Sequence, residues 1–181
     1  MKWWLLLSFN IIVSTLRNRE NEAISELWYL FREIGDESIS ARRAVVPGLL
    51  LVKTSLNPFE AVHKLEERAK ERPWDFRYVL KLTPIQVVVP TSLNEISTEA
   101  VKLANKSIAL NESFKISINK RATQLKSEEI IGSIASNVNR KVNLTNPDKV
   151  ILVEVVGPET GISVLKPSDI VSIVKLIGRG F

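Results

Sequence analysis

Between Ser113 and Ser127 stand four cations, Lys115, Lys120, Arg121 and Lys126, and no acid. Ammonium and guanidinium groups at that density, unmatched by carboxylates, suit phosphate oxygens. Ser127 is expected to cap the helix that follows, and a helix N-terminus adds unpaired N–H groups that favour an anion. Glu128 and Glu129 oppose that detail, because carboxylates in the first turn repel a phosphate. A solvated surface strand and turn would leave the same pattern, so both readings stand on the residues alone.

Other chemistries find little support. The strand-to-helix turns carry no GxGxxG and no GxxxxGK(S/T), the usual glycine-built phosphate cradles. No GxSxG is present, and with one histidine and no cysteine any nucleophilic triad would have to be built on His63. His63 reads as a surface residue of a helix. Zinc held by His and Cys is excluded, and no metal site is expected. Glu66–Glu67 and Glu128–Glu129 are neighbours on helices, so each pair splays apart. Among the four tryptophans, Trp3, Trp4 and Trp74 are candidate stacking platforms for bases, whereas Trp28 sits in an apolar helix pattern and is expected in the core.

The elements that must position the cations follow from periodicity. Phe114, Ile116 and Ile118 alternate with polar residues as in a half-buried strand. Ile130, Ile131, Ile134 and Val138 then form a helical stripe. Upstream, residues 5–14 read as a buried strand. Asn18 is expected to cap a helix ending at Gly35, residues 36–43 to form a polar connection, and residues 45–54 to form a strand interrupted by Pro47 and Gly48. Asn57-Pro58 opens a second helix. Residues 77–91 are strand-like, with Pro84 marking the point where the chain changes partner. Asn94 is expected to open a third helix. Val150–Val156 reads as a central strand, residues 162–165 as a short returning one, and Ser168 as the cap of a last short helix, with 170–175 also able to extend as a strand. Alternating strands and helices make this an α/β (α+β) chain.

The length allows one large domain or two small ones. Residues 1–80 carry 12 basic and 11 acidic groups, residues 81–181 carry 13 and 9, so the second half is the better candidate for a polyanion. The absence of cysteine is compatible with a reducing cytoplasm. The apolar start is too short for a membrane span, so a cytoplasmic protein without membrane attachment is expected.

Three stretches of the second half resemble a THUMP domain, the RNA-binding module of tRNA-modifying enzymes: FKISINKR at 114–121, SEEIIGSIASNV at 127–138, and VNLTNPDKVILVEVVGPETGISVL at 142–165. RYVLKLTPIQVVVPT at 77–91 is similar to the segment preceding THUMP in stand-alone adaptors of tRNA cytidine acetylation, with Tyr78, Lys81 and Pro84 as its aromatic, basic and proline positions. The family more often has Arg where this chain has Lys81. The resemblance implies an N-terminal ferredoxin-like domain over residues 1–76 and a THUMP domain over 77–181.

It further implies a non-catalytic tRNA-binding protein. Relatives fuse THUMP to a methyltransferase, thiolation or deaminase domain, and this sequence shows no such motif and no length for one. The stand-alone type binds tRNA by its acceptor stem and 3′ end and helps a separate acetyltransferase make N4-acetylcytidine. No cofactor is expected. Lys81, Lys115, Lys120, Arg121, Lys126, Arg140 and Lys141 are the candidate backbone contacts, with Ser127 and the amides after it as a phosphate seat. The competing readings are a subunit of an enzyme of another chemistry, methylation or thiolation, and a protein-interaction module without RNA.

Overall fold

The structure is a computed structural model that describes residues 8–178. Among the described residues ten strands and five α-helices divide into two compact units. One comprises Phe9–Ile85 together with the described residues from Ser168 to Gly178, and the other runs from Gln86 to Pro167.

The first unit is built from β1 (Ile11–Ser14), α1 (Glu20–Glu33), β2 (Ser40–Arg43), β3 (Leu49–Lys53), α2 (Pro58–Glu71) and β4 (Lys81–Pro84). β4, β1, β3 and β2 lie side by side in that order, all antiparallel. This is the ferredoxin-like βαββαβ arrangement. β10 (Val171–Ser172) adds to the outer edge of β4 and leads into α5 (Ile173–Leu176). Ile11, Val13, Leu50, Val52 and Leu82 on one sheet face meet Ala23, Leu27, Leu30 and Phe31 of α1 and Val62 and Leu65 of α2. Each fully buried Leu or Ile in such a layer contributes about 1.5–3 kcal/mol.

The second unit holds β5 (Val87–Pro90), α3 (Leu93–Ser107), β6 (Ser113–Arg121), α4 (Ser127–Ala135), β7 (Lys141–Val142), β8 (Lys149–Val156) and β9 (Glu159–Leu165). Its sheet order is β5-β9-β8-β6-β7. β6 pairs with β8 in parallel from Phe114 opposite Lys149 to Arg121 opposite Val156, while β9 is antiparallel to β8 and β5. Ile151, Val153 and Val155 of β8 and Phe114 of β6 pack under Ile96, Ala100 and Ala104 of α3 and Ile130 and Ile134 of α4.

Several local expectations need correction. Asn18 does not cap α1: it takes a left-handed conformation, φ 63°, and Arg19 occupies the cap position without a side-chain cap. Residues 36–43 are more than a connection, since they contain the exposed edge strand β2. Asp36 accepts hydrogen bonds from the backbone and hydroxyl of Ser38 and from the amide of Ser55 at 2.7–2.9 Å, and from the Thr54 hydroxyl. Ser92, not Asn94, caps α3, and Ser172, not Ser168, caps α5. In each case the hydroxyl reaches an amide three residues on, the geometry an N-cap requires. Asn57 caps α2 as expected.

The chain passes between the units at Ile85/Gln86 rather than at 76/77, and it returns after Pro167. Pro84 is the last residue of β4, so the partner change does follow it. Trp28 is 49% exposed rather than core. Trp74 is exposed beside Arg72, whose guanidinium lies 5.5 Å from the ring centre. Trp3, Trp4 and residues 5–7 of the expected first strand lie outside the described residues, and the strand described within that stretch is Ile11–Ser14.

Candidate nucleic-acid interface

β5, β6 and β8 run in the same direction, and α3 and α4 follow β5 and β6 directly. Both helices therefore start at the same end of the sheet. Backbone bonds gather the neighbouring loops there: the Gly157 amide donates to the Arg121 carbonyl at 2.9 Å, and the Thr91 amide to the Pro158 carbonyl at 3.0 Å. The cationic loop thus lies beside the β8–β9 turn. Across the face of the paired helices, Ser97, Thr98, Val101 and Lys102 of α3, Ser133 of α4 and Asn137 just beyond it line an open groove.

The loop itself is tightly built. Ala122 turns the chain with φ 54°, a left-handed conformation costly for a residue with a Cβ. The Lys120 ammonium donates to the Leu125 carbonyl at 2.8 Å, and the Thr123 hydroxyl accepts from the Leu125 amide at 3.2 Å. Lys126 is exposed at the N-cap position of α4 and provides no side-chain cap. Ser127 is the first helical residue rather than the cap. The first amides of α4 accordingly lack a side-chain acceptor from the cap, with Glu128 and Glu129 on the same turn.

Arg121 differs from its neighbours. Parallel register places Asn119 opposite Glu154. The Glu154 carboxylate, only 3% exposed, accepts from Asn119 at 2.8 Å and from the Arg121 guanidinium at 2.7 Å. Arg121 therefore has an acidic partner 33 positions away in sequence. Glu154 was missed as part of this site, although a lone acid inside the apolar run of β8 was a visible signal that a buried partner had to exist.

The eight candidate residues do not form one patch. Lys120, Arg121, Lys126 and Ser127 share the end of β6. Lys115 sits six residues earlier on that strand, about 20 Å away along it. Arg140 donates to the carbonyls of Ile108 at 3.0 Å and Asn139 at 2.8 Å, so its guanidinium fastens the end of α3 to the segment after α4. Lys141 is exposed in β7, opposite Ser113 at the start of β6. Near it the Asp148 carboxylate is held below its usual pKa, chiefly by the Ser113 amide and then by the Ser113 hydroxyl. Lys81 belongs to the other unit, in β4.

Among the described residues no group of three or more His, Asp or Glu side chains is placed to hold a metal ion. No helix among them is long and apolar enough to cross a membrane.

Residues 90–165 match the THUMP domain family. The chain thus carries a THUMP domain, preceded by a ferredoxin-like unit. Its fold is similar to that of PH1313 from Pyrococcus horikoshii Ot3, at 22% identity and a TM-score of 0.60 over 86% of this chain and 54% of that one. TrmN from Thermus thermophilus is similar at 15% identity and a TM-score of 0.54, over 85% of this chain and 44% of that protein. A 4-thiouridine synthetase, solved as an RNA complex with bound ATP, is similar at 14% identity and a TM-score of 0.59, over 91% of this chain and 42% of the synthetase. The chain spans about half or less of the length of these structures. Among curated proteins there is no match to this sequence.

Proposed function

We propose that this chain binds tRNA through its THUMP domain and presents it, without catalysis of its own, to a separate modification enzyme, an acetyltransferase forming N4-acetylcytidine. The match of residues 90–165 to the THUMP domain carries the reading. Likeness of fold to a 4-thiouridine synthetase solved with RNA supports it. The acetylation step rests on the resemblance of residues 77–91 to the stand-alone adaptors.

Duplex RNA ends are recognised mainly through phosphates and shape, which a rigid sheet end with cations can supply. Lys120 and Lys126 take the phosphate contacts, with the first amides of α4 following Lys126 directly. Arg121 is a positioning residue: one guanidinium nitrogen is held by Glu154, and that contact fixes the strand end from which the loop departs. Gripping one end of the tRNA sets the distance at which the target base meets the partner enzyme.

The test is affinity purification from the native source, scored for tRNA by sequencing and for a co-purifying acetyltransferase by mass spectrometry, with reconstitution of the purified components. Acetylcytidine is expected only when both proteins are present. Acetylcytidine made by this chain alone from tRNA and acetyl-CoA, or recovery of the chain without tRNA, would overturn the reading.

A further inference from the structure

With 13 basic and 12 acidic groups over residues 9–85 and 168–178, the ferredoxin-like unit has no evident claim on a polyanion, but the fold sorts those charges by place. At one end of its sheet four segments converge: the β1–α1 loop, the β2–β3 hairpin, the segment entering β4, and the start of α5. The Thr15 amide donates to the Gly48 carbonyl, the Leu80 amide to the Ser14 carbonyl and the Ile173 amide to the Leu80 carbonyl, all at 2.9 Å. Ser172 lies opposite Lys81. The segments carry Arg17, Arg19, Arg43, Arg77, Lys81 and Lys175, all exposed except the half-buried Lys81.

Three carboxylates share this end, and each is engaged. Glu20, 4% exposed, accepts from the Gly48 amide at 2.8 Å. Glu26 accepts from the amides of Arg77, Tyr78 and Val79 at 2.9–3.1 Å. Glu22 binds the Arg19 guanidinium at 2.8 Å. No carboxylate stands within ion-pair distance of Arg17, Arg77 or Lys175 among the described residues. Much of the remaining negative charge, including Glu66, Glu67, Glu71 and Asp75, lies along α2 and the turn after it. Lys64, Arg68, Lys70 and Arg72 stand among those acids, and Arg68, Lys70 and Arg72 pair with them, so that stretch is close to balanced while the basic end keeps an excess of cations.

We infer that this basic end is a second phosphate-binding surface, which takes the backbone of duplex RNA. The inference rests on the RNA-binding reading above and adds a separate site to it. Its amides are already answered by Glu20 and Glu26, so recognition falls to side chains. Guanidinium forks match phosphate oxygens in two-point contacts. The four segments offer no exposed aromatic ring, since Tyr78 is half-buried against the core. A surface without stacking platforms suits a duplex backbone better than unpaired bases.

The test uses the full chain, with fluorescence anisotropy on tRNA and on a blunt RNA duplex across a salt series. Arg17→Gln/Arg77→Gln/Lys175→Gln is compared with Lys120→Gln/Lys126→Gln. The triple variant should bind the blunt duplex about tenfold or more weakly and lower the log–log salt slope by two to three, at about one per lost phosphate contact. Its urea midpoint should stay unchanged. If the slope is retained while the Lys120/Lys126 variant loses slope, the second surface is overturned and the THUMP reading stands. Loss in the triple variant alone supports the second surface and removes the THUMP loop from the site. No RNA binding by the wild-type chain, or capture of an acidic protein through these residues with RNA affinity intact, overturns the inference.

Discussion

The end of β6 and the basic end of the ferredoxin-like sheet use positive charge in opposite ways. After β6, Arg121 is tied to buried Glu154 and Lys120 closes its own loop on Leu125. At the ferredoxin-like end, two of the three carboxylates bind backbone amides and leave Arg17, Arg77 and Lys175 unmatched. The region that looks more basic in sequence spends part of its charge on architecture. The region that looks neutral keeps its cations for solvent. Charge counted along a chain is therefore a poor measure of charge offered to a ligand, because folding decides which carboxylate answers which cation.

Breaking the pair at β6 gives the largest expected effect. Arg121→Ala leaves Glu154 buried without its cation and should cost about 3 kcal/mol in urea denaturation. Arg121→Met/Glu154→Leu should recover most of that loss, since an apolar pair of similar volume replaces a buried ion pair at little cost. Equal stability of the single variant and wild type would show that Arg121 is not structural, and the contrast between the two ends would fail.

Asp36 tests the same contrast away from both cationic regions. Burial raises its pKa, but the hydrogen bonds from Thr54, Ser38 and Ser55 outweigh burial and hold it well below the usual carboxylate range. A folded-state pKa below the unfolded one adds stability that is present above the unfolded value, near 4, and lost as pH falls through the folded value. Asp36→Ala should therefore cost about 2 kcal/mol at neutral pH. The variant should also lose less stability than wild type between about pH 4 and pH 2. Parallel pH profiles would remove Asp36 from the acid response.

The smallest stability effect is expected at two cations proposed to bind RNA. Lys120→Ala/Lys126→Ala should alter unfolding by less than about 0.5 kcal/mol, as surface substitutions do. It should lower the salt slope of tRNA binding by about two. A retained slope would show that the charge offered after β6 does not reach the RNA.

Much of the fold was legible because it is written locally. The stripes of α1 and α2, the Asn57-Pro58 start, the apolar run of β8 and the break after Pro84 all follow from periodicity and backbone chemistry. The edge strand β2 was hidden, since Ser40–Arg43 has no apolar alternation to betray it. Serine caps were misplaced by a few residues because several hydroxyl or amide side chains stand near each helix start and only the backbone turn selects one. The Arg121–Glu154 pair was illegible for a different reason. It depends on parallel register between strands separated by a whole helix, and register between distant strands is a tertiary property. The grouping of Arg17, Arg43, Arg77 and Lys175 has the same origin, being a product of four segments brought to one sheet end.

The departure of the chain at Ile85 and its return at Ser168 bear on the order in which the protein is made. During synthesis from the N-terminus, β1 to β4 leave the ribosome early and can pair. The outer edge of β4 then stays open while the whole THUMP unit is translated, because its cover, Val171–Ser172, arrives later. An open strand edge is a template for unwanted pairing with other chains. Slow translation through residues 86–167 would lengthen that exposure, so the hazard of edge pairing belongs to the nascent chain rather than to the finished protein.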